Sequence, residues 1–276
     1  MNFEISRYIP ISLLIFFTSC TFDIYRPNSV FVPLIKEEGQ IVAEGTFGTS
    51  GYGASIAASP IKSLYIMASG AYYHDQDRDT LAPSRFVNRK LLLEGGAGYY
   101  LVFGDEKQGV FEVASGLGAG IGDAFNRYGG FMSTDIDRYA EGNFFKAFLQ
   151  PSIGLAHHII HVAGSIRVSY LHFYNYNYYE FSHNNVYQSY PYNKEPIVVH
   201  QDLNKSFNQI YIDPTVTIRA GYKYVYFHSQ FGLSFTPVED EKRKKYFSAY
   251  PLILNIGVTV NLPLKELLKP KLVGDY

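Results

Sequence analysis

From Gln40 to Leu262 the chain alternates apolar and polar residues with a period of two, and no long helical period interrupts it. Such alternation sends successive side chains to opposite faces of an extended strand. The C-terminal part shows it best. Tyr250, Leu252, Leu254, Ile256, Val258, Val260 and Leu262 share one face, against Pro251, Ile253, Asn255, Gly257, Thr259 and Asn261 on the other. Upstream, Ile210, Ile212, Val216 and Ile218 oppose Gln209, Tyr211, Asp213, Thr215, Thr217 and Arg219. Ten segments of this kind are marked, at 40–48, 51–59, 63–74, 87–102, 109–122, 141–156, 159–173, 207–220, 222–235 and 246–262. Most exceed the ~5–6 residues of an ordinary globular strand. They match the ~9–11 residues with which a tilted strand crosses a bilayer.

Soluble barrels alternate too, so the chemistry of the two faces decides the class. The apolar faces carry large Leu, Ile, Val and Phe with aromatics toward their ends, as a lipid-facing band does. The polar faces are small and thinly charged, with signs mixed across strands: Glu44, Lys90, Glu94, Glu112, Lys146, Arg167, Asp213 and Arg219. These eight are assigned to a lumen polar network, where burial requires them to be paired. A chain that is only 18% charged has little else with which to coat a water-facing barrel. Mean hydropathy of −0.07 averages the two faces and hides the pattern. A net charge of −1 leaves no basic stripe for nucleic acid.

Connection lengths point the same way. Those near 60–62, 103–108, 157–158 and 221 are short, and those at 75–86, 123–140, 174–206 and 236–245 are long. Bacterial outer-membrane barrels alternate short periplasmic turns with longer outer loops. The expected fold is therefore all-β: a closed antiparallel up-and-down transmembrane β-barrel over 40–262. It has about ten strands, or eight if the first two segments form one bent strand or a hairpin lip. An even count puts both ends on the short-turn side.

Ahead of the barrel, Arg7 precedes an apolar run from Ile9 to Phe17, then Thr18-Ser19-Cys20. This is the layout of a secretory signal peptide, too short for the ~20 residues of a membrane-spanning helix. Residues 1–19 are assigned as signal peptide, with Cys20, the single cysteine, as the first mature residue and the site of lipidation by a palmitate-type acyl chain. Residues 20–39 then form a lipidated linker and 263–276 a periplasmic tail.

No motif carries chemistry. His74-Asp75-Gln76-Asp77-Arg78-Asp79 alternates carboxylates as calcium loops do, but Thr80 and Phe86 replace the required Gly and Glu. His157, His158 and His161 cluster at a turn without a carboxylate or thiolate nearby. His74, Asp75, Asp123, Asp135, His172, His183, His200 and Asp202 lie near the rim without a nucleophile elbow. Catalytic residues, metal ligands and cofactors are accordingly assigned as none. The most distinctive stretch is 170–193, with Tyr174, Tyr176, Tyr178, Tyr179, Tyr187, Tyr190 and Tyr192 among Asn, Ser and His. Tyr gives large amphipathic contact area at low entropic cost, so this loop either binds a partner or caps the barrel mouth.

Four stretches carry a resemblance: Tyr25-Arg26-Pro27-Asn28, Val32-Pro33-Leu34-Ile35-Lys36-Glu37-Glu38-Gly39, Gly51-Tyr52-Gly53-Ala54 and Ala58-Ser59-Pro60-Ile61. The chain resembles Bacteroidota outer-membrane β-barrel lipoproteins over roughly 25–61. The resemblance implies a small porin-like barrel of unassigned role, with some members accessory to larger outer-membrane machines. It brings no catalytic residue. The expected function is a non-enzymatic, lipid-anchored outer-membrane barrel that serves a larger envelope complex. Its candidate partners are outer-membrane lipids and other outer-membrane proteins. The alternatives are a protease- or lipid-hydrolase-like enzyme at the rim, and a soluble lipid-anchored ligand-binding barrel.

Overall fold

A computed structural model describes residues 23–78, 85–128, 136–182, 197–237, 248–249 and 251–263. It contains β1 (Asp23–Tyr25), β2 (Gln40–Gly48), β3 (Gly51–Ile61), β4 (Leu64–Arg78), β5 (Arg85–Phe103) and β6 (Gly109–Tyr128). Then follow β7 (Ile136–Ala156), β8 (Ile160–Ser182), β9 (Ile197–Tyr222), β10 (Val225–Leu233), β11 (Ser248–Ala249) and β12 (Leu252–Pro263). Ten of these, β2 to β10 and β12, form one sheet in which each strand has two antiparallel neighbours. β12 pairs with both β10 and β2, and the sheet closes into a barrel. β2 and β3 are separate strands paired from Ile41↔Ala58 to Gly48↔Gly51, which excludes the eight-strand count.

The expected fold class, a closed antiparallel up-and-down transmembrane β-barrel of about ten strands, is corrected in two ways. A second, parallel sheet exists: β1 pairs with β11, so the segment expected as one strand over 246–262 is two. Of the residues expected to link anchor and barrel, 24–35 lie inside the barrel. Ile24, Tyr25 and Val30 to Ile35 are buried, packed against the inner faces of β2 to β9. The strands also run further than the alternation suggests. β8 and β9 reach 23 and 26 residues, because above the apolar belt they continue as a polar, aromatic wall.

The belt lies on the outside. Leu254, Ile256 and Val258 of β12 point outward and are about half exposed, while Ile253, Asn255 and Thr259 point inward and are buried. Along β5 the outward series Leu91, Leu93, Tyr99, Leu101 and Phe103 is exposed, and the inward series Asn88, Lys90, Leu92, Glu94 and Tyr100 is buried. From Leu91 to Phe103 a strand tilted by about 40° rises roughly 30 Å, the thickness of a hydrocarbon core. Above the belt the outward face turns polar, with Arg89 Nε 3.1 Å from Asp123 Oδ2 and His172 Nδ1 2.7 Å from Asn208 Oδ1.

Closure depends on a tight seam between the first and last barrel strands. Gly257 stands opposite Thr46, and a Cβ there would collide with the carbonyl oxygen of Gly45. Gly257→Val should therefore strain the β12–β2 ladder by about 1–3 kcal/mol. A lower urea midpoint, with weakened heat-modifiable migration on gels, is the expected readout.

Candidate functional site

The site is the filled lumen. Residues 26–38 contain Pro27 and Pro33 and run extended through the barrel as a strap that belongs to no sheet. Such a segment has no ladder, and a buried backbone without partners is costly. Wall side chains supply the partners. Gln230 of β10 clamps Val30 at both ends, its Oε1 accepting from Val30 N (3.0 Å) and its Nε2 donating to Val30 O (2.7 Å). Gln150 of β7 donates to Phe31 O (2.8 Å), Arg219 of β9 to Val32 O (2.7 Å), and Ile35 N donates to Glu112 of β6 (2.9 Å).

Two charge clusters hold the strap. Around Glu94 of β5 lie Lys146 Nζ (2.8 Å) and Arg167 Nη1 (3.3 Å), all three almost fully buried. Asn28 of the strap bridges them, donating to Glu94 (2.8 Å) and accepting from Lys146 (3.0 Å) and Arg167 (3.3 Å). Asp213 stands opposite Arg167 in the β8–β9 ladder and is buried. The second cluster joins Glu44 of β2 to Arg219 (2.8 Å), His228 (3.0 Å) and the Thr259 hydroxyl (3.1 Å). Lys90, also on the inner wall, has its ammonium 5.5 Å from the Tyr73 ring. All eight residues assigned to the lumen thus lie on the inner face. Gln150, Gln230, His228 and Asn28 complete the arrangement, although sequence reasoning did not single them out.

The strap also supplies much of the apolar core. Val30, Val32 and Leu34 pack on Val110, Ala156 and Ala163, whereas Phe31 and Ile35 pack on Val42, Tyr65, Met67, Tyr100 and Phe148. The strap therefore has its own period of two and is apolar on both sides. Leu34, with φ of 52°, occupies the left-handed region, and its Cδ2 lies where a Cβ on Gly154 would be only 2.8 Å away.

Tyr-rich residues expected in a loop lie instead on β8 up to Ser182. Asn175, at φ 54°, sits in a bulge that switches the inward parity from 169, 171 and 173 to 176, 178 and 180. Tyr176 and Tyr178 consequently turn inward and pack with Ile24, Tyr25, Phe144 and Phe173 at the mouth. Tyr174 stacks on Phe145 outside (5.1 Å), and Tyr179 lies beside Tyr139 (6.0 Å). Above the belt, Tyr139 donates to Glu141 (2.7 Å); burial, then that carboxylate, pushes its phenol above the ordinary range. Tyr187, Tyr190, Tyr192, Asp135, His183 and Cys20 lie outside the described residues.

Among the described residues the rim groups do not converge. Asp123 pairs with Arg89, His172 with Asn208, and His200 with Asp202 (3.2 Å). At the opposite end His157 stacks on His158 (3.8 Å), while His161 packs on Tyr226 (4.3 Å). Among the described residues no group of three or more His, Cys, Asp or Glu could hold a metal ion.

No family model matches the chain, and no curated protein matches it. Among solved structures it is similar to a major outer membrane protein from Thermus thermophilus, with 10% identity and a TM-score of 0.40. That match covers 81% of this chain and 98% of the other. At this level the likeness carries no functional argument.

Removing one partner of the Glu94 cluster should be far worse than removing two. Glu94→Gln leaves Lys146 and Arg167 buried without their carboxylate and should cost about 3–5 kcal/mol. The double variant Glu94→Gln/Lys146→Met restores charge balance and should lose clearly less than Glu94→Gln alone in urea titrations.

Proposed function

We propose that the chain is a non-enzymatic outer-membrane barrel, anchored through acylated Cys20. It is sealed by its own N-terminal strap and serves as a partner-binding component of a larger envelope complex. One observation carries this reading: a strap fixed by wall hydrogen bonds and two ion-pair clusters fills a lumen enclosed by an outward apolar belt. A soluble ligand-binding barrel would keep its interior for the ligand and turn polar residues to water. Here the inside is occupied, and the outside presents Leu, Ile, Val and Phe. A pore would need an open path, and ten strands leave little space beyond side chains even before a strap is added.

Partner binding falls to what remains on the surface. The outward aromatic patch of Phe145, Tyr170, Tyr174, Tyr139 and Tyr179 spans the upper edge of the belt. Aromatic side chains there suit both the membrane interface and a neighbouring protein. Co-purification with other envelope proteins in mild detergent is expected, and isolation as a lone monomer would count against the partner-binding part.

Two measurements test the rest. In planar bilayers the purified full chain should give no stepwise conductance; steady channel steps would overturn the sealed barrel. Ile256→Arg, at mid-belt, should destabilise the barrel in lipid vesicles by about 2–4 kcal/mol. A loss no larger than that of an ordinary water-facing substitution would instead mean that the belt does not face hydrocarbon.

A further inference from the structure

The strap has a direction. Its lower end is fixed beside the short turns, where Lys36 Nζ donates to Ala156 O (3.1 Å) and Gln40 opens β2. Its upper end is fixed among elements of the opposite, long-loop mouth. Arg26 Nη1 donates to Thr49 O (2.9 Å) in the β2–β3 turn, and its guanidinium carbon lies 3.9 Å from the centre of the Tyr73 ring. Tyr25 packs edge-on against Phe144 (5.5 Å) and tilted on Tyr211 (4.7 Å). β1 pairs with β11, which belongs to the long connection between β10 and β12.

From the level of Phe144 to that of Ala156, β7 covers about 40 Å along the strand, or roughly 30 Å along the barrel axis. Cys20 is three residues before Asp23, so at most about 11 Å of chain separates them. That reach cannot return residue 20 to the short-turn end. The even strand count does place Gln40 and Pro263 together at that end, but the strap doubles back through the lumen and reverses the side of everything upstream.

We propose that the mature N-terminus leaves through the long-loop mouth, so that the N-terminal lipid enters the outer leaflet and the protein is anchored from the cell-surface side. This rests on the reading of the chain as an outer-membrane barrel with short periplasmic turns. The expectation that both ends lie on the short-turn side then holds for the C-terminal end alone, and the N-terminal attachment is to the surface. The partner is the outer leaflet, and the strap is what delivers the chain end to it.

Three epitope tags in the full-length chain test the proposal, each checked for the heat-modifiable migration of the untagged barrel. One is inserted between Thr21 and Phe22, one between Gly129 and Gly130 in a long loop, and one follows Tyr276. On intact cells, antibody should reach the first two and reach the C-terminal tag only after the outer membrane is permeabilised. An N-terminal tag that behaves like the C-terminal one would overturn the proposal while leaving the barrel reading intact. Equal labelling of all three on intact cells would overturn the membrane reading itself, and the proposal with it.

Discussion

Everything in this molecule depends on a backbone that has no sheet to join. Over residues 27–35 the strap is buried inside a closed barrel, where its amides and carbonyls reach neither water nor a ladder of their own. Gln230, Gln150, Arg219 and Glu112 act as side-chain substitutes for a ladder. They come from β6, β7, β9 and β10, one contiguous half of the ring, and Glu94 of β5 extends the grip through Asn28. The Glu94 and Glu44 clusters follow from the same need. Glu94, which accepts from Asn28, is met by Lys146 and Arg167, and Arg219, which donates to Val32, is met by Glu44.

The strap also explains the inverted distribution of side chains. A soluble barrel places its apolar residues inside, where they make the core. Here the walls turn those residues outward, and the interior would be left polar and poorly packed. Val30, Phe31, Val32, Leu34 and Ile35 bring apolar surface into that interior, and two of the three hydrophobic clusters among the described residues are built on them, the third on Ile24 and Tyr25 just upstream. The polar wall groups bind the strap backbone while Ala, Gly and aromatic wall positions accept its side chains. Barrel and strap are therefore one folding unit, in which neither part has a satisfactory interior alone.

Much of the wall was legible in the sequence because a period of two survives any uncertainty about boundaries. Parity alone puts Leu254, Ile256 and Val258 on one side and Asn255 and Thr259 on the other. It failed at Asn175, where a bulge shifts the count by one and turns Tyr176 and Tyr178 inward from what reads as a polar loop. It also could not show that Glu94, Lys146 and Arg167 meet, since they lie on three different strands and come together only across the lumen, around Asn28. The strap was missed for a chemical reason. Two prolines and the charged Lys36-Glu37-Glu38 read as a linker, although Val30-Phe31-Val32 and Leu34-Ile35 are too apolar to be left in water. An apolar stretch just ahead of a barrel with polar inner faces was the available clue. The lumen needs such a stretch, and the stretch needs a lumen.

Threading a chain through a closed ring also has a mechanical side. A pull on the surface end of the strap runs along the barrel axis, nearly perpendicular to the bonds from Gln230, Gln150, Arg219 and Glu112. Those bonds would be sheared together and not peeled one by one. Val30, Phe31 and Val32 would have to be dragged past the mouth, where Phe144, Phe173 and Tyr178 of the wall close the way. The fold is built as a tether whose grip does not rely on any single contact, because load on the strap would be shared among β5, β6, β7, β9 and β10.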